Sequence, residues 1–144
     1  MKRACVCWLA VAWWLLYVAQ ANAYSVFVTN EKDNTLSVID SSKLEVTNTV
    51  KIGQRPRGIT LAPERKWLLI CASDDNLVQV YDAETLQYVK SLPSGPDPEL
   101  FILHPKGNPL YIANEDDNLV TVVDIEKGND YGNLGRSGAG GLRH

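Results

Sequence analysis

The sequence predicts an all-β chain, a partial β-propeller built from four-stranded repeats of 42 residues. Three observations predict it: a gapless internal repeat, short strand-like runs in each unit, and turn residues at fixed offsets between them. Residues 73–82 (SDDNLVQVYD) and 115–124 (EDDNLVTVVD) agree at seven of ten positions when offset by 42. The same offset carries Asn34 onto Asn76 and Asn118, and Asp40 onto Asp82 and Asp124. It also carries Gly53 onto Gly95 and Pro56 onto Pro98. A repeat of this period with strand-like composition has the size of a propeller blade.

The chain opens on a segment unlike the rest. Met1-Lys2-Arg3 is basic, residues 4–19 carry no charge, and Ala21-Asn22-Ala23 follows. These are the three parts of a secretory signal peptide, so cleavage is expected after Ala23, with Tyr24 as the new N-terminus. The apolar run is shorter than the ~20 residues a spanning helix needs. The expected location is therefore periplasmic or extracellular, with no membrane insertion after cleavage. Cys5 and Cys7 leave with the signal, and Cys71 alone cannot form an internal disulfide. Residues 24–144 then hold 12 basic and 17 acidic side chains. No basic run or basic-aromatic face is present, which excludes nucleic acid and anionic membranes as expected partners.

From residue 24 to 128 the units read as strands bounded by turns. In the second unit the β-branched and apolar runs place strands at 58–61, 67–72, 77–82 and 86–92. Asp75-Asn76 lies between the second and third strands, matched by Asp33-Asn34 and Asp117-Asn118; such residues tolerate positive φ and cap their own turns. Residues 62–66 and 104–108 are tight-turn sequences between the first and second strands. No stretch has helical periodicity.

Val26-Phe-Val-Thr-Asn30, then Asp33-Asn34-Thr-Leu-Ser-Val-Ile-Asp40, then Val50-Lys-Ile-Gly53 with Pro56-Arg-Gly58, resembles the YVTN family of β-propeller repeats. Tyr111-Ile-Ala-Asn114 fills the same slot in the third unit. The resemblance covers residues 24 to about 128 and implies an exported, seven-bladed parent. Within the family, residues 25–60 are most similar to propeller proteins associated with pyrroloquinoline-quinone-dependent alcohol catabolism.

A repeat of this type places its innermost strand after the Gly-x-x-Pro turn, so residues 24 onward begin in mid-blade. In a closed family member the missing strand would come from the far C-terminus. Residues 56–95 make one whole blade and 98–124 supply three strands of the next, about two and a half blades in all. The tail 129–144 has five glycines in its last 13 residues and is expected to be irregular. Two readings of it stay open: a linker-like end, or a one-base frameshift before Gly132, since a shifted reading permits another Gly-x-x-Pro-x-Gly turn in register.

Candidate sites are few. Asp74, Asp75, Asp116 and Asp117 place acidic pairs on one rim, with oxygen ligands of the kind calcium takes, but without calcium-loop spacing. No resident metal or cofactor is expected. Asp40, Asp82 and Asp124 recur in every unit and read as turn caps. Asn34, Asn76, Asn118, Gly53, Pro56, Gly95 and Pro98 read as the turns that define the repeat. His104 has no second histidine or cysteine near it, Cys71 sits in an apolar run, and no G-x-S-x-G elbow is present.

The expected function is a non-catalytic exported scaffold that binds another periplasmic protein, accessory to quinone-dependent alcohol oxidation. The rivals are a fragment of a propeller enzyme, lactonase-like or haem-binding, and a truncated product without function.

Overall fold

The runs rich in Val, Ile, Leu and Thr become strands because alternate side chains can be buried while the backbone pairs sideways. A computed structural model describes residues 24–135. Among these, 11 strands form three antiparallel sheets with neighbouring strands paired in chain order. Sheet 1 holds β1 (Ser25–Asn30), β2 (Thr35–Asp40) and β3 (Glu45–Lys51). Sheet 2 holds β4 (Pro56–Ala62), β5 (Trp67–Ala72), β6 (Leu77–Asp82) and β7 (Tyr88–Pro93). Sheet 3 holds β8 (Pro98–Leu103), β9 (Leu110–Asn114), β10 (Leu119–Asp124) and β11 (Asn129–Gly135). The partial propeller expected from the repeat is the fold observed. The signal segment with Ala21 and Ala23 lies outside the described residues.

The repeat governs backbone detail as well as topology. Asn34, Asn76 and Asn118 all adopt left-handed φ, at 56°, 54° and 57°. So do Arg55 and Asp97, at 48° and 49°. A bulge recurs at Val38/Ile39, Val80/Tyr81 and Val122/Val123, where the last two strands of each sheet meet. Such a bulge adds local twist and bends the outer strand.

Two cores join the sheets. Successive β5 side chains point to opposite faces, so Leu68 and Ile70 pack toward sheet 1 with Leu36 and Tyr81. Leu69 and Cys71 pack toward sheet 3 against Leu110, Ile112 and Val123. Each fully buried Leu or Ile contributes roughly 1.5–3 kcal/mol, and among the described residues sheet 2 is the one covered on both faces. Outside the cores, Lys90 of β7 donates from Nζ to the carbonyls of Ile125 and Glu126, 2.7 and 3.0 Å away, and lies 4.8 Å from the Trp67 ring centroid.

The first strand of the second unit runs from Pro56 to Ala62, longer at both ends than the predicted 58–61, and two further differences have a clear cause. The fourth strand of the second unit begins at Tyr88 rather than 86, because Leu86 closes the preceding turn at φ 58°, its N–H donating to the Asp82 carbonyl. The second correction concerns the chain after 128, expected to be irregular. Asn129–Gly135 instead pairs with β10 and completes a four-stranded sheet. An outermost strand needs only its backbone to pair, and Gly128, at φ 71°, turns the chain back to do so.

Candidate functional site

The turns β1–β2, β5–β6 and β9–β10 share one rim with the turns β3–β4 and β7–β8. Hydrogen bonds repeated at the 42-residue offset hold them together. Asn34 Oδ1 accepts from the Arg55 N–H at 2.8 Å, and Asn76 Oδ1 accepts from the Asp97 N–H at 2.9 Å. Ser73 N–H donates to the Arg55 carbonyl and Glu115 N–H to the Asp97 carbonyl, at 3.2 and 2.9 Å. The left-handed asparagines thus fix the turn that follows one strand pair later.

Glycine is required where these turns cross. A Cβ on Gly53 would lie 2.7 Å from both Ala72 Cβ and Asp75 Oδ2. On Gly95 it would lie 2.4 Å from Asn114 Nδ2. Without side chains there, Gly53 N–H reaches Gln79 Oε1 at 2.7 Å, and Gly95 N–H reaches Asn114 Oδ1 and Thr121 Oγ1, both at 3.1 Å. Pro56 and Pro98 are buried at the starts of β4 and β8, and the Pro98 carbonyl accepts from Ser73 Oγ at 2.6 Å.

Two arginines dominate the rim. Arg55 Nη2 bonds both oxygens of Asp97, at 2.5 and 2.6 Å, and Nη1 is 3.1 Å from Asp74 Oδ1. The Asp97 hydrogen bonds raise the guanidinium's affinity for its proton. Arg57, two residues on, bonds Glu31 from Nε at 3.2 Å and is paired with Glu99 and, at 3.4 Å, with Glu115. These carboxylates come from all three sheets or the turns beside them. A shallow cavity of about 420 Å³ opens beside Arg57, with Thr29, Pro56 and Gly58 on its walls.

The predicted candidates separate into different places. Asp74 pairs with Arg55, Asp75 Oδ2 accepts from the Gln54 N–H at 2.8 Å, and Asp117 Oδ1 accepts from the Leu119 N–H at 3.0 Å. Asp116 is exposed. No group of three or more His, Cys, Asp and Glu is placed to hold a metal among the described residues.

Asp40 Oδ1 accepts from Ser42 N–H, Ser42 Oγ and Lys43 N–H, at 2.8, 2.6 and 3.1 Å. Asp82 Oδ1 accepts from the amides of Thr85 and Glu84, at 2.7 and 3.0 Å. Asp124 accepts from the Tyr131 hydroxyl at 2.5 Å and from the amides of Lys127 and Glu126 at 3.0 and 2.9 Å. Donors that favour the charged form hold all three below the ordinary carboxylate range; the first cause is the Ser42 hydroxyl, the Thr85 amide and the Tyr131 hydroxyl respectively.

Tyr24 N–H donates to Ser41 Oγ at 2.8 Å. Burial pushes the Cys71 thiol up to about 12, where it is a poor nucleophile. His104 lines a second cavity, about 410 Å³, at the opposite ends of β4 and β8 with Arg65 and Phe101; its Nδ1 accepts from the Lys106 N–H at 3.1 Å.

Arg55, Arg57, Asp97, Glu31 and Glu99 were not singled out by the sequence reading. A signal for one pair was present: Arg55 and Asp97 are 42 residues apart and opposite in charge, and equivalent positions in adjoining blades lie side by side.

Residues 11–130 match the family model described as a YNCE-like beta-propeller. No curated protein matches the sequence. Among solved structures, the chain is similar to Kuenenia stuttgartiensis hydrazine synthase, at 22% identity and a TM-score of 0.72. That likeness covers 78% of this chain and 33% of the other, and it is a likeness of fold. This chain spans about a third of that structure's length.

Proposed function

The chain belongs to the YNCE-like β-propeller family, and from that premise we propose that it is an exported, non-catalytic scaffold that binds another periplasmic protein at the Arg57 rim. The observation that carries the reading is the rim itself. Its turns are fixed by repeated hydrogen bonds from backbone N–H groups to asparagine side chains, while its charged side chains stand at the surface around a shallow groove. A preorganised, partly exposed charge pattern suits steering and register between proteins. Asp40, Asp82 and Asp124 are engaged by the turns they hold, which supports a structural role for them.

The partner proposed is a quinone-dependent alcohol dehydrogenase or its cytochrome. This follows the likeness of residues 25–60 to YVTN-type propellers associated with that chemistry. The chain would then be accessory to the oxidation, contributing position and leaving the redox steps to the partner.

Surface plasmon resonance with the purified dehydrogenase and cytochrome tests the reading. The wild-type chain is expected to bind one of them, more weakly as salt rises, and Arg57→Glu to lose about tenfold or more in affinity. Binding to neither, or an Arg57→Glu chain that binds like wild type, would overturn it.

A further inference from the structure

We draw no further inference here: the strongest candidate, the cavity of about 410 Å³ where the ends of β4 and β8 meet the turns that follow them, carries nothing, because its one guanidinium, Arg65, is already taken up by Glu126 and the Gly107 carbonyl and nothing in the structure shows what would fill it.

Discussion

The aspartates closing β2, β6 and β10 each gather donors from the turn that follows, and the arrangement has a pH signature. A carboxylate held below its unfolded value contributes stability above the unfolded pKa, about 4, and loses it as pH falls through the folded value. The thermal midpoint is therefore expected to stay level above about pH 5 and to fall progressively below about pH 4. Because the Tyr131 hydroxyl is the first cause of the Asp124 shift, Tyr131→Phe should make the acid-dependent loss smaller and end it at higher pH, its onset staying where the unfolded carboxylate takes up its proton. Melting curves followed by circular dichroism across that range check it, and superimposable acid limbs would contradict it. Gly53 makes a separate point at the same scale. With Ala72 Cβ and Asp75 Oδ2 both 2.7 Å from the place of its missing Cβ, Gly53→Ala is expected to destabilise by ~1–3 kcal/mol through overpacking, read as a lower urea midpoint.

At the scale of the element, strand identity was legible from side chains wherever side chains decide it. Trp67–Ala72 and Leu77–Asp82 have the predicted ends, because their apolar alternation and the Asp75-Asn76 turn act together. β11 was not legible, since an outermost strand of Asn, Asp, Tyr and Gly with a single Leu pairs through its backbone and leaves no hydrophobic alternation. The rim arginines were hidden for a different reason. Charged residues in turns look alike in sequence, and only the stacking of one turn on the next makes Arg55 and Asp97 partners. Hydrogen exchange separates the two kinds of strand. Amides of β6, flanked by paired strands and carrying Val78 and Val80 at 0% exposure, should exchange more slowly than those of β11. Equal protection would contradict that ordering.

For the whole molecule, the two cores make sheet 2 the common support of its neighbours. Ile70 lies in the core with sheet 1 and Leu69 in the core with sheet 3, so the two contacts can be weakened one at a time. Ile70→Ala is expected to cost about 2–5 kcal/mol and to raise exchange chiefly in sheet 1, with Leu69→Ala acting chiefly in sheet 3. This is the behaviour of a chain of repeats coupled only to nearest neighbours, and uniform loss of protection in either variant would argue against it. The ion pair joining Arg55 to Asp97 adds order to that chain. Tandem duplication of residues 53–94 would set a second arginine beside Arg55 and leave its guanidinium facing like charge. The 42-residue units are therefore not interchangeable modules: the pair fixes which unit follows which, and growth of the array by simple copying meets an electrostatic barrier at this junction.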